Sequence, residues 1–199
     1  VFDDCQALVK KAFLDNELNG HMKLTSANSI NVARFLPQSF YYFYAYAQLK
    51  KLGALDIDDR KNETSIFVVC VPSGNFGNIC AGLFGYKMGL PVKRYIAANN
   101  ANDIFYNYLK TGIYEPKPSK QTLANAMDVG DPSNFARIYN LFDGDYYKIT
   151  SLINGATYTD NQIKETMMKE NNNKNSVELC VLCGEPEAVI LANGDYPTH

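Results

Sequence analysis

Ser65-Ile66-Phe67-Val68-Val69-Cys70-Val71-Pro72-Ser73-Gly74-Asn75-Phe76-Gly77-Asn78 is the stretch that decides the fold. Ile66 to Val71 is an unbroken run of β-branched, aromatic and small apolar residues, the pattern of a strand buried on both faces of a parallel sheet. Pro72 ends the strand, because it has no N–H to give a ladder. Ser73-Gly74-Asn75-Phe76-Gly77-Asn78 then turns the chain, and an apolar segment opens at Ile79. A glycine-rich turn between a buried strand and a helix N-terminus gathers backbone N–H groups at the positive end of a helix dipole, which suits a phosphate. Gly74 and Gly77 allow positive φ and leave no Cβ in the way of an anion. Ser73, Asn75 and Asn78 are expected to add side-chain donors.

The turn lacks the Lys-Ser/Thr of a nucleoside-triphosphate loop and does not match the GxGxxG dinucleotide fingerprint. A tight strand-to-helix turn whose glycines serve packing alone is the other reading, and the motif by itself leaves the two level.

The surrounding text separates them. Pro72 to Asn78 (PSGNFGN) resembles the pyridoxal-phosphate phosphate loop of threonine synthases, members of the tryptophan-synthase-β-like group. The likeness continues in SANSINVARFLPQSFYYF (Ser26–Phe43), GLPVKRYIAANNAND (Gly89–Asp103) and TLANAMDVGDPSNFAR (Thr122–Arg137), from about Phe2 to about Glu170. The resemblance implies an α/β fold: a parallel sheet flanked by helices, part of a pyridoxal-phosphate-binding domain over residues 1–170. It implies pyridoxal phosphate as cofactor, held by Ser73, Gly74, Asn75, Phe76, Gly77 and Asn78. It also implies the family's reaction, in which O-phosphohomoserine and water give threonine and phosphate.

Composition reads as that of a soluble, globular chain. The 199 residues are 46% hydrophobic and 20% charged, enough for a sizeable core. A net charge of −2 gives no general reason to bind nucleic acid or an anionic membrane. No apolar run approaches a membrane span. The five cysteines are odd in number, and Cys70 and Cys80 sit in apolar text, so they read as reduced thiols of a cytoplasmic protein. Val1 is not an initiator Met, and VFDDCQALVKKAF already has helical period, with Cys5, Leu8, Val9, Ala12 and Phe13 on one face and Asp3 or Asp4 as N-cap. The expectation is a chain that starts mid-protein. No lysine stands in the family's Phe-Lys-Asp context, so the catalytic Schiff-base lysine is expected outside this chain.

After the Asn19-Gly20 turn signal, His21 to Thr25 reads as a short strand. Ser26 to Ser29 would cap a long aromatic helix, Ile30 to Lys51, kinked by Pro37 and buried on most sides or facing a partner subunit. Asn28, Ser29, Asn31 and Arg34 form a second polar cluster. Asn31 and Arg34, three apart, share a helical face near its positive end, which suits a phosphate or carboxylate. The competing reading gives Asn28 and Ser29 to capping and Arg34 to a surface ion pair. The resemblance assigns all four residues to the substrate's phosphate.

Ile79 to Leu90 reads as a helix stopped by Gly89 and Pro91, and Val92 to Ala98 as the next parallel strand. Asn99 to Asp103 then falls where open α/β sheets bind ligands, with Asn102 or Asp103 capping Ile104–Lys110. Helices follow over Phe135–Phe142, Tyr146–Ile153 and Asn161–Lys169. Asn171 to Asn175 is a polar linker opening a second region, 171–199, with two strand-like runs and a lone Cys180-x-x-Cys183 that makes no zinc site. There VILANGDYPTH resembles the opening of a thiamine pyrophosphokinase, which points to a fusion or assembly junction near Glu170–Ser176. The rival readings are a cysteine-synthase-like enzyme, which would lack the NSIN and AANNAND motifs, a non-catalytic fragment or interaction module, and a thiamine pyrophosphokinase, whose catalytic body this sequence does not contain. No oligomeric state follows from the sequence.

Overall fold

The apolar run before the turn becomes β1 (Val68–Pro72) in a computed structural model that describes residues 2–29, 31–53, 55, 67–162 and 164–165. Strand β2 (Arg94–Asn99) lies parallel to it with Val71 opposite Ala97, and β3 (Ile153–Thr157) lies parallel to β2 with Ala97 opposite Gly155. The order β1-β2-β3 places the turn after β1 beside the carboxyl end of the middle strand. The parallel pairing of β1 and β2 is as the strand–helix–strand pattern requires.

Burial of β1 differs from the expectation. Val69 and Val71 are buried with Tyr95 and Ala97, whereas Val68 is 39% exposed and Cys70 and Ile96 are half-buried. The side chains of a strand alternate between faces, and the described chain covers one face fully and the other in part. That covered face carries helix α5 (Gly77–Lys87), where the Tyr95 hydroxyl donates to the Gly82 carbonyl at 2.7 Å. Helix α5 begins two residues before the expected Ile79 and ends at Lys87. Its end is a Schellman motif: Gly89, at φ 103°, donates to the Tyr86 carbonyl and Leu90 to the Gly85 carbonyl, both at 3.0 Å.

The remaining helices frame this unit. Helix α1 spans Phe2–Leu14, so Asp3 and Asp4 fall within its span, not before it. Its expected apolar face is largely open, with Leu8 69% exposed. Helix α2 (Asn16–His21) is capped by Asp15, whose Oδ1 accepts from Leu18 N–H at 3.0 Å. It absorbs Asn19-Gly20, and no strand forms over His21–Thr25. The long aromatic helix is broken, not kinked. Asn31 caps the short α3 (Val32–Phe35), a 3-10 turn carries Pro37, and α4 runs Ser39–Lys51. Tyr42, Ala45 and Leu49 form its buried stripe, while Phe40, Tyr41 and Tyr44 are exposed.

Helix α6 (Ile104–Thr111) follows β2, then α7 (Phe135–Leu141) and α8 (Tyr146–Leu152). Asp103 occupies the N-cap position of α6 without a side-chain capping bond, and Asn102 turns inward, so the expected cap is not made. Strand β3 takes over from α8 at Ile153, which the sequence placed in the helix. Among the described residues no helix is long and apolar enough to cross a membrane. The linker, the Cys180-x-x-Cys183 pair and the region 171–199 lie outside the described residues.

Candidate functional site

The ladder of β1 extends one residue past Pro72, since Ser73 N–H donates to the Ala98 carbonyl at 2.8 Å. Asn99 Nδ2 donates back to the Ser73 carbonyl at 2.8 Å, tying the root of the turn to the end of β2. The first bond of α5 is from Cys80 N–H to the Phe76 carbonyl at 3.0 Å. Between them, the N–H groups of Gly74, Asn75, Phe76 and Gly77 have no acceptor among the described residues. Gly74, Phe76 and Gly77 are buried. Buried donors without a protein acceptor are rare, and ligand or water is their usual partner. Four successive N–H groups without a protein acceptor, three of them on buried residues, leading into an eleven-residue helix suit an anion.

The glycines serve this turn in a different way from the one expected. Neither Gly74 nor Gly77 has positive φ; the left-handed residue is Phe76, at φ 63° and ψ 15°. That conformation costs a residue with a Cβ about 1–2 kcal/mol, and burial of the Phe76 ring against Phe105, centroids 4.4 Å apart, offsets it. Gly74 and Gly77 are needed for close approach. A Cβ on Gly74 would lie 2.7 Å from Met127 Cα, and one on Gly77 would lie 2.6 Å from Ser29 Cβ.

The polar side chains of the turn face the protein. Ser73 Oγ donates to the Val71 carbonyl at 2.8 Å. Asn75 Oδ1 accepts from Ser133 N–H at 2.7 Å and Ser133 Oγ at 2.9 Å, while its Nδ2 donates to Ser29 Oγ at 3.0 Å. Asn78 Oδ1 accepts from the Tyr42 hydroxyl at 2.6 Å. These bonds brace the loop, and the backbone N–H groups are what it presents.

Of the second cluster, Ser29 reaches the loop. Its Oγ accepts from Asn75 Nδ2 and from Asn134 Nδ2, each at 3.0 Å, and donates to Asn28 Oδ1 at 3.2 Å. Asn31 spends its Oδ1 on the cap of α3 and its Nδ2 on the Ser26 carbonyl. Arg34 is exposed, with Nε donating to the Ala27 carbonyl at 2.9 Å. The described hydrogen bonds of Asn31 and Arg34 therefore go to the Ser26–Ala33 backbone and none to the loop.

Asn134 and Arg137, not singled out from the sequence, complete the bracket. Asn134 is fully buried and donates through Nδ2 to the Asn75 carbonyl at 3.0 Å as well as to Ser29. The Arg137 guanidinium lies 4.9 Å from the centroid of the Phe35 ring, and its Nη1 donates to Asn134 Oδ1 and to the Ser29 carbonyl. Asn134 and Arg137 stand three apart, the same spacing that drew attention to Asn31 and Arg34, and that spacing could have found them. Asn134→Ala is expected to lower stability by about 1–3 kcal/mol, because it removes a fully buried amide that donates to the Asn75 carbonyl and to Ser29 and accepts from Arg137. Chemical denaturation of the chain checks this.

The thiol of Cys80, one turn into α5, is pushed up to about 12 by burial, against a small opposing pull from Arg137. It is no nucleophile at neutral pH. Every described lysine is solvent-exposed. Among the described residues no cluster of three His, Cys, Asp or Glu side chains could hold a metal.

No family model matches the chain. Over 166 residues, 83% of its length, it is 48% identical to the threonine synthase of Haemophilus influenzae, and the match spans 36% of that protein. The crystal structure of threonine synthase from Escherichia coli superposes with a TM-score of 0.75 at 41% identity, covering 92% of this chain and 40% of that one. The crystal structure of a PLP-bound threonine synthase from Brucella melitensis gives 0.70 at 30% identity, covering 88% and 41%. The chain thus spans little more than a third of the length of the bacterial relatives it matches.

Proposed function

We infer that this chain, a homologue of the threonine synthases along 83% of its length, supplies the cofactor-phosphate cradle of such an enzyme. The observation that carries this is the run of four N–H groups, Gly74 to Gly77, without protein acceptors at the start of α5. Pyridoxal phosphate fits that cradle through its phosphate, since Gly74 and Gly77 let the turn close against Met127 and Ser29 and the donors number four. When bound, it supplies an electron sink for carbanion chemistry on an amino acid.

The roles of this chain's residues follow. The Gly74–Gly77 N–H groups, with the positive end of the α5 dipole, bind and orient the phosphate. Ser73, Asn75 and Asn78 hold the loop in shape, and the Phe76 ring closes the apolar side beside Phe105. Asn28, Ser29, Asn31 and Arg34 receive the phosphate of O-phosphohomoserine. Ser29 brings that segment against the cradle, and the Arg34 Nη groups carry the charge. The reaction is the conversion of O-phosphohomoserine and water to threonine and phosphate. A lysine that forms a Schiff base works from a dry pocket, and the described lysines are all exposed. That lysine comes from polypeptide outside the described residues. The free Cys70 and the buried Cys80 fit a reducing, cytoplasmic setting.

The test is a chimera in which this chain replaces the matching 166 residues of the Haemophilus influenzae enzyme. It is expected to bind pyridoxal phosphate and form threonine. The 199-residue chain alone is expected to form none, and borohydride reduction with pyridoxal phosphate should label no single lysine stoichiometrically. A folded chimera that does not bind the cofactor, or turnover by the isolated chain, would refute this reading.

A further inference from the structure

A buried carboxylate outside the cradle stands next in sequence to one of its walls. Asp128 is 7% exposed. Its Oδ1 accepts from Thr122 Oγ1 at 2.7 Å, Asn100 Nδ2 at 2.8 Å and Asn102 Nδ2 at 3.1 Å, and its Oδ2 accepts from Thr122 N–H at 2.8 Å. Among the described residues its ion pairs are none, so four dipolar donors meet its charge. Asn100 is the first and Asn102 the third residue after the end of β2, and Asn102 also bonds both backbone groups of Lys120. The segment 113–134 is therefore fastened at residues 120, 122 and 128 to the carboxyl end of the middle strand.

The residue before this carboxylate is Met127, whose backbone presses on the cradle at Gly74, close enough that a Cβ there would lie 2.7 Å from Met127 Cα. We propose that Asp128 is a positioning residue: its hydrogen bonds to Asn100, Asn102 and Thr122 hold the Asn125–Met127 turn against Gly74 and so fix the phosphate loop. This rests on the reading of that loop as a phosphate site. The chemistry requires a carboxylate, because both oxygens accept from fixed donors. An amide of the same shape sets an N–H group against a donor at one of the two positions.

The test uses the full chain, isotopically labelled, with Asp128→Asn. The wild type is expected to show a Gly74–Met127 Hα–Hα nuclear Overhauser effect, and Gly74 and Gly77 amide shifts on titration with inorganic phosphate. Asp128→Asn should lose the Gly74–Met127 effect, keep the Gly77–Ser29 contact, and bind phosphate at least about tenfold more weakly. Tyr114→Phe is the control. It removes the hydroxyl bonded to Asp131 at the other end of the segment, and it should keep the contact and the affinity whatever its denaturation midpoint. Should Asp128→Asn not fold, Thr122→Val removes one donor to the same carboxylate and should weaken both readouts in the same direction. A retained Gly74–Met127 contact, or an affinity within about twofold of wild type, overturns the proposal. A wild-type chain that shows no phosphate-dependent shift removes the phosphate reading of the loop instead, and the contact still decides the role of Asp128.

Discussion

Gly77→Ala is expected to weaken pyridoxal phosphate binding by at least about thirtyfold, the equivalent of about 2 kcal/mol. The added Cβ would sit 2.6 Å from Ser29 Cβ and 3.0 Å from Ser29 Oγ. Ser29 cannot yield freely, because its Oγ joins Asn75, Asn134 and Asn28, and its carbonyl accepts from Arg137. Either the bracket opens or the first turn of α5 moves, and both displace N–H donors that must point at one ligand. Because the affinity falls through geometry and not charge, the loss should persist at high salt. Titration of the chimera by cofactor absorbance checks it, and wild-type affinity in Gly77→Ala would show that Ser29 does not fix the loop.

The second large effect is on stability. Gly82→Ala is expected to destabilise the chain by about 1–3 kcal/mol, the usual range for overpacking a close-packed core. A Cβ there would meet the Tyr42 ring at 2.6 Å and the Tyr95 ring at 2.8 Å. Both rings are fully buried, and both hydroxyls are held, Tyr42 by Asn78 and Tyr95 by the Gly82 carbonyl itself. The rings therefore cannot swing aside without stranding a buried hydroxyl. Gly85, three residues on in the same helix, is the contrast, for a Cβ there would meet Leu90 and Phe43 no closer than 3.5 Å. Gly85→Ala should gain up to about 1 kcal/mol from helix propensity. Denaturation midpoints moving in opposite directions are the expected outcome. A neutral Gly82→Ala would mean that α5 is not clamped between the two tyrosines.

The parts of the fold that were legible in sequence are those where one local signal acts alone. The run from Phe67 to Val71 contains no polar residue, and Gly89-Leu90-Pro91 can only stop a helix, so β1, α5 and the parallel β2 followed directly. Strand β3 was hidden because Ile153-Asn154-Gly155 carries a turn signal. Gly155 is there because Tyr106 packs over it, at 2.4 Å from where a Cβ would be, and no local signal contains that contact. His21–Thr25 failed as a strand because the Asp15 cap starts a helix that runs through the expected turn. The rule that glycine takes positive φ misplaced the strain in the loop. Phe76 adopts the left-handed conformation because its ring has a buried seat, and the neighbouring glycines answer to Met127 and Ser29. In the same way the partners of Asn134 and Asp128, Ser29 and Asn100, lie across sequence separations that no spacing rule spans, even where the three-residue step from Asn134 to Arg137 marks the pair itself.

The most direct measurement of the cradle is a pair of titrations of the nitrogen-15-labelled chain, one with pyridoxal phosphate and one with pyridoxal, which lacks the phosphate. If the free N–H groups of Gly74, Asn75, Phe76 and Gly77 bind the phosphate, their amide resonances shift with the first compound and stay in place with the second. Movement with both compounds, or with neither, would contradict a phosphate cradle at the start of α5.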